Sequence, residues 1–376
     1  MTQKEYIATV NAAKQHSYNY YVLSAPTISD AEFDRLVDAI EQTEREHPEW
    51  TLPDSPTQQV GSDLGGNGRR TISHRTPMLS CQKAQDTAKV TVWLQKLSKR
   101  LGYTPEVMLS WKADGISCSL VYQDGQLIEA STRGDGPTGQ DLMAHVRLMQ
   151  TVPQHISGPG RIEVRGEIVC PKASLQGLTD RNGKQYADCR SAASSLCNQD
   201  TPSKDVSRLE FWAWELIADE QRYQDMMGGV LGYLGFEKHC YRETDSGAHI
   251  EQMLLRCGEM RDRCPIPVDG IVIRIDDNEL FYKQGFTDHH PKGSIAYKFP
   301  PQTTLTTVRR IEITVGATGR RTPVAWFDPV TILCRTVEKA SLGSEDTMRK
   351  LGVTEGARVE VGLSNDVIPK VYRVVV

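Results

Sequence analysis

With 376 residues, 39% of them hydrophobic and 24% charged, the chain has the composition of a water-soluble protein and the length of two or three domains. It lacks any run of about 18 apolar residues, and its first residues, Met1-Thr-Gln-Lys-Glu-Tyr, lack an apolar signal region, so neither a membrane-spanning helix nor secretion is expected. The net charge of −4 hides an asymmetry: residues 1–60 carry 4 Lys or Arg against 10 Asp or Glu, and residues 306–376 carry 11 against 8, so a polyanionic partner would meet the C-terminal part.

Residues 4–23 read as a helix with Tyr18, Tyr20 and Tyr21 near its end. After the break at Ala25-Pro-Thr-Ile-Ser, Ser29 and Glu32 form a capping box for a second helix running to about Glu46. Four glycines in Gly61–Arg70 predict a flexible linker and the first domain boundary. A helix near 86–100 then precedes strands at 107–112, 117–123 and 126–132, the last two joined across Asp124-Gly125, a hairpin signal. Further strands at 161–169, 209–217 and 269–275 alternate with helical stretches at 138–148, 189–198, 222–234 and 248–262, an α+β order with antiparallel sheets. From about Leu305 short strands and glycine turns predict a small β-barrel. The nine cysteines are scattered with no Cys-x-x-Cys pair, which reads as reduced thiols in a cytoplasmic setting and no zinc finger.

Chemistry is concentrated in Trp111-Lys-Ala-Asp-Gly-Ile. Lys112 follows an apolar run, and Asp114 and Gly115 lead into the next strand. A lysine at a strand end, beside an acid and a glycine, is what a covalent amine nucleophile needs, the glycine letting a phosphate approach the backbone. Four more polar motifs follow in order: Thr132-Arg-Gly-Asp-Gly, Glu163-Val-Arg-Gly-Glu, Val268-Asp-Gly-Ile-Val-Ile-Arg and Ala296-Tyr-Lys-Phe-Pro.

These five motifs, together with Tyr18-Asn-Tyr-Tyr-Val-Leu-Ser-Ala-Pro-Thr-Ile-Ser-Asp-Ala-Glu-Phe-Asp-Arg-Leu and Pro53-Asp-Ser-Pro-Thr-Gln-Gln-Val-Gly, resemble the catalytic core of an NAD-dependent DNA ligase, a covalent nucleotidyltransferase. The resemblance runs from about residue 5 to the C-terminus. It implies a helical nicotinamide mononucleotide-binding module at 1–65, an α+β nucleotidyltransferase domain at 66–304 and an OB-fold barrel at 305–376. It implies NAD and Mg²⁺ as cofactors and nicked duplex DNA as substrate, in the cytoplasm.

By the same resemblance Lys112 is the nucleophile that takes AMP, which requires a neutral amine although a free lysine titrates at about 10.4. Asp114 would orient the lysine or the attacking 3′-hydroxyl. Asp269 would lie near metal and phosphate, and Lys298 would bind the α-phosphate. Ser80, Cys81, Gly115, Arg133, Glu167 and Arg274 would hold the adenylate. Tyr20, Tyr21, Asp30 and Asp34 would hold the cationic nicotinamide half by stacking and charge. Arg190 would meet the DNA 5′-phosphate, and Arg309, Arg310, Arg320 and Arg321 would grip phosphates without reading sequence.

The chain departs from the family pattern at several points. Ser110 stands in place of a glutamate, Arg274 of a lysine, Tyr21 of a histidine, Phe33 of a tyrosine, Gly293 of a tryptophan and Ala317 of an arginine. An Arg-for-Lys change keeps charge but alters reach and geometry. The chain carries no four-cysteine zinc module, helix-hairpin-helix segment or terminal BRCT domain, which implies either a minimal ligase or a core whose DNA clamp is a second polypeptide. The apolar end, Val371-Tyr-Arg-Val-Val-Val, is expected to leave an unpaired strand edge. Two alternatives stand beside ligation by NAD: a nucleotidyltransferase using ATP or GTP, and a non-catalytic nick-binding subunit.

Overall fold

The computed structural model describes residues 1–21, 27–28, 30–52, 55–57, 69–218, 227–238, 240–245, 249–287, 290–315, 321–332, 335–364 and 368–375. The chain divides into two compact units, residues 1–25 with 37–299, and residues 26–36 with 300–376.

Two helices open the chain, α1 (Gln3–Tyr21) and α2 (Asp30–Glu46). Tyr6, Val10 and Ala13 recur at helical spacing on α1 and are fully buried, as is Ile40 of α2. The Glu44 carboxylate satisfies two buried hydroxyls, accepting from Tyr6 at 2.7 Å and from Thr57. The Ser29 cap and residues 61–68 of the expected linker lie outside the described residues.

The larger unit continues with β1 (Thr71–Ser73), β2 (Gln82–Ala84), α3 (Thr87–Leu101), β3 (Val107–Ala113), β4 (Ile116–Gln123), β5 (Gln126–Thr132), β6 (Thr138–Gln140) and α4 (Met143–Val146). Then come β7 (Arg161–Val169), α5 (Cys189–Cys197), β8 (Glu210–Ala218), α6 (Met227–Tyr233), β9 (Tyr241–Asp245), α7 (Ile250–Met260), β10 (Val268–Ile275), α8 (Asn278–Lys283) and β11 (Ser294–Lys298). One sheet has the order β2-β11-β10-β3-β9, another β5-β4-β7-β8, and β1 pairs with β6. The period of two in the strands sorts their side chains. On the first sheet Leu109, Trp111, Ile271, Ile273 and Ile295 join a core with Val90, Leu94 and Leu97 of α3 and Leu254 of α7. The opposite face of the same three strands carries Ser110, Lys112, Arg274, Ser294 and Lys298. On the second sheet Cys118, Leu120 and Tyr122 enter a separate core with Ala192, Ala193 and Leu196 of α5. Their neighbours Ser117 and Ser119 share a face with Glu163, Arg165 and Glu167.

The sheets of this unit are antiparallel except for the short pairing of β2 with β11. The helix expected at 138–148 is mostly absent. Residues 138–140 form β6, and only Met143–Val146 is helical. The cause is the turn before it: Gly134 and Gly136 take φ of 58° and 98°, and the Asp135 carboxylate accepts the Thr138 N–H at 2.8 Å, which starts an edge strand. Strands β2, β9 and β11 and helix α8 were not foreseen. Asp277 caps α8 by accepting the Leu280 N–H at 2.9 Å.

The second unit holds β12 (Thr303–Val315), β13 (Arg321–Ile332), β14 (Arg335–Ser341), α9 (Glu345–Leu351), β15 (Arg358–Ser364) and β16 (Ile368–Val374). The five strands close as β12-β13-β14-β16-β15 around Val308, Phe327, Val337, Val359, Val361 and Val371. Closure corrects the expectation of an unpaired terminal edge, because β16 pairs along its length with β15 and meets β14 at Ser341. β12 and β13 are also longer than the short strands expected, at 13 and 12 residues.

Candidate active site

Three adjacent strands build the centre. Lys112 of β3 lies across from Gly270 of β10, and Gly270 lies across from Lys298 of β11, so both lysines sit on one rung. Gly270 is required there by close packing, since a Cβ would stand 2.1 Å from the Tyr297 carbonyl oxygen. In a regular strand Asp269 would point away from the face that carries Gly270. A register shift between Val268 and Gly270 makes Asp269 an extra residue on β10 and re-aims its side chain. The Lys112 ammonium donates to both carboxylate oxygens of Asp269, at 2.8 and 2.7 Å, and Lys298 Nζ stands 3.9 Å from one of them. Burial acts to raise the Asp269 carboxyl, but Lys112, then Lys298, then Arg190 outweigh it and hold its pKa below the ordinary value.

Asp114 follows on the same strand exit, its N–H donating to the Pro267 carbonyl at 2.9 Å. Its carboxylate pairs with the Arg190 guanidinium. Arg190 is set by the start of α5, where Asp188 caps the helix by accepting the Ser191 N–H at 2.7 Å. Glu167 of β7 accepts the Ser117 hydroxyl at 2.9 Å. Burial pushes the Glu167 carboxyl up to about 7, against Ser117, Arg190 and Lys112 and with help from Asp114. These mutual effects place Lys112, Asp114, Glu167, Arg190, Asp269 and Lys298 in one charge cluster.

Arg133 stands beside it, its N–H donating to the Ser117 carbonyl at 3.2 Å and its guanidinium to the Ser80 hydroxyl at 2.9 Å. Cys81 lies 3.5 Å from the Ser294 hydroxyl, and burial pushes its thiol up. Gly115 has a structural cause here: a Cβ would meet the Ile168 carbonyl oxygen at 2.2 Å.

Arg274 is not brought to Lys112. It pairs across the sheet with Met108 and Ser294, four residues along each strand and so about 13 Å away. Its buried guanidinium lies 3.8 Å over the Phe281 ring and donates to Asn278 at 2.5 Å and to the Ile275 carbonyl at 3.2 Å. Gly293 belongs to the same arrangement, because a Cβ there would stand 2.7 Å from Phe281. The tyrosine and aspartate side chains expected to hold nicotinamide, at Tyr20, Tyr21, Asp30 and Asp34, lie outside the described residues, as does Arg320. On the barrel, Arg309 makes two bonds to Asp328 at 2.8 and 2.7 Å. Arg310 stands 3.7 Å from Glu312 and 4.6 Å from the Trp326 ring, and Arg321 stands 3.2 Å from Glu345.

Sequence reasoning missed Ser117, Arg165 and His290. Arg165 is buried, bonded to Glu163 at 2.7 Å and to the Thr76 carbonyl, and it braces the segment that carries Ser80. The alternation of polar residues in Glu163-Val-Arg-Gly-Glu, facing Ser117 and Ser119, was the available signal. No comparable local signal marks His290.

The cluster sets Lys112, Arg190 and Lys298 against Asp114, Glu167 and Asp269, and Arg133 beside it adds a fourth cation, a balance that suits a dinucleotide's phosphates. Among the described residues no three His, Cys, Asp or Glu side chains converge as metal ligands. The donor set therefore does not fit a protein-built Mg²⁺ cage; such an ion would come with phosphates and water.

The family model for the NAD-dependent DNA ligase adenylation domain matches residues 67–302. Those for the DNA ligase-like N-terminal NAD⁺-binding domain and the NAD-dependent DNA ligase OB-fold domain match 2–61 and 305–376. A DNA ligase of Halothermothrix orenii is 36% identical over 371 residues, covering 96% of this chain and 55% of its own length. One of Natranaerobius thermophilus is 35% identical over 382 residues, covering 99% of this chain and 58% of its own. The chain thus spans a little over half the length of these curated relatives. The solved Chlorella virus DNA ligase-adenylate matches 80% of this chain and 100% of its own at 13% identity and a TM-score of 0.32, a likeness too loose to argue from. With the adenylation-domain model alone covering well over half of it, the chain belongs to the NAD-dependent DNA ligase family.

Proposed function

We propose that the chain seals nicks in duplex DNA with NAD as the AMP donor. The observation that carries this reading is Lys112 gripped by Asp269 beside Lys298, within the span matched by the adenylation-domain model. Attack needs a lone pair on Nζ, so Lys112 must lose a proton, and Asp269 is the carboxylate in contact to take it. The Lys112–phosphorus bond forms as the bond to nicotinamide mononucleotide breaks, and that leaving group departs with the electron pair. Lys298 holds the α-phosphate oxygens, Glu167 the ribose hydroxyl and Arg133 the sugar. Arg190, exchanging Asp114 for the 5′-phosphate of the nick, positions the second transfer, after which the 3′-hydroxyl displaces AMP. Residues 1–65 serve nicotinamide, 66–304 the adenylyl transfers and 305–376 the duplex. Family membership supports action in the cytoplasm.

The departures from the family pattern at Ser110 and Arg274 support a second reading, in which ATP or GTP is the donor. Intact mass after incubation with each nucleotide separates the two. NAD alone is expected to add one AMP; addition from ATP or GTP but not NAD overturns the NAD assignment. Binding of nicked DNA with no adduct from any donor leaves only the nick-binding subunit. Adduct formation without sealing until another protein is added is the signature of a partner polypeptide.

A further inference from the structure

We infer that His290 is a positioning residue that sets Arg133 through Ser80, an inference resting on the reading of Arg133 as a nucleotide contact. The segment between β1 and β2 has little regular pairing: its backbone meets the β5–β6 turn through His74 to Pro137 at 2.9 Å and Met78 to Gly136 at 3.0 Å. Side chains hold the rest. Arg165 takes the Thr76 carbonyl at one end, and at the other His290 Nδ1 stands 2.7 Å from the Ser80 carbonyl oxygen. A carbonyl only accepts, so this bond assigns the proton to Nδ1. Ser80 is the crossing point, taking His290 on its carbonyl and the Arg133 guanidinium on its hydroxyl at 2.9 Å.

His290 is itself fixed. Its N–H donates to the Thr287 hydroxyl at 2.8 Å, and the Thr287 N–H donates to the His290 carbonyl at 2.8 Å. Phe286 and Pro291 bridge the same loop. That loop joins α8 to β11, so the strand that ends in Lys298 is tied through it to Ser80 and Arg133. An arginine side chain has several free torsions, and a pinned acceptor narrows them before a ligand arrives. The effect belongs to nucleotide affinity rather than to the bond-making step.

The test measures AMP binding by calorimetry for wild type and variants, alongside single-turnover adenylation with NAD. His290→Ala and Ser80→Ala are each expected to weaken AMP by about tenfold, the loss of one well-placed hydrogen bond. The two changes together should cost little more than one, because both act through one chain. At saturating NAD the His290→Ala adenylation rate should stay within about twofold of wild type. His290→Asn places an amide N–H where Nδ1 stood and should restore affinity; His290→Gln places it where Nε2 stood and should not. Equal AMP affinity in wild type and His290→Ala, or equal loss in the Asn and Ala variants, overturns the inference. Wild type that binds AMP yet forms no adduct with any donor refutes the ligase reading instead, while the affinity comparison still decides the role of His290.

Discussion

On the strands β3, β10 and β11, Lys112 and Lys298 share one largely buried carboxylate, whereas on the barrel Arg309 and Arg310 meet Asp328 and Glu312 in the open. A buried acid with two cations on it is costly to disturb, because removing one partner strands the others away from water. An exposed pair is worth about 0–1 kcal/mol and exchanges readily for a phosphate. The lysine rung is therefore built for one geometry, enforced by a bulge and a glycine, and the barrel for interchangeable contacts.

Substitutions should expose that contrast. Asp269→Asn removes the proton acceptor and leaves two lysines facing a neutral amide, so single-turnover adenylation should slow by about 10²–10⁴-fold. A rate within tenfold of wild type would show that Asp269 is not the base. Next in size, Gly270→Ala forces a methyl against the Tyr297 carbonyl oxygen 2.1 Å away. That overpacking should cost about 1–3 kcal/mol, read as a melting temperature lower by at least about 3 °C. An unchanged melting temperature would mean that the rung between the lysines is roomier than described.

Glu167 gives a pH signature. Its folded pKa of about 7 lies above the ordinary 4.5, so between those values the folded state binds the proton that the unfolded state has released. Its contribution is present below pH 4.5 and is lost as pH rises through about 7. The wild-type melting temperature, measured without nucleotide, should therefore fall relative to Glu167→Gln across that window; parallel profiles would refute the raised pKa. The smallest effect belongs to the barrel: Arg309→Ala should change stability by less than about 0.5 kcal/mol. It should flatten the salt dependence of nicked-duplex binding by about one unit of log K per log salt. An unaltered slope would exclude Arg309 from the phosphate contacts.

The structure gathers Lys112, Asp114, Glu167, Asp269 and Lys298, which the motif order singles out, and the strand patterns placed all four strands of the second sheet but only β3 and β10 of the first. What stayed hidden was non-local. His290 and Ser80 are 210 residues apart, and no periodicity links them. The seat of Arg274 over Phe281, beside Gly293, depends on residues outside its own motif. The helix expected at 138–148 failed because one Asp135 side chain captured the Thr138 amide. The terminal strand looked exposed only because barrel closure is not written in its own residues.

Adenylation rests on a single nitrogen, and peptide mapping of the adduct addresses it directly. After reaction with NAD, the AMP should reside on Lys112 alone and be acid-labile, as a phosphoramidate is. AMP recovered on Lys298, or an adduct that persists in Lys112→Ala, would contradict the account.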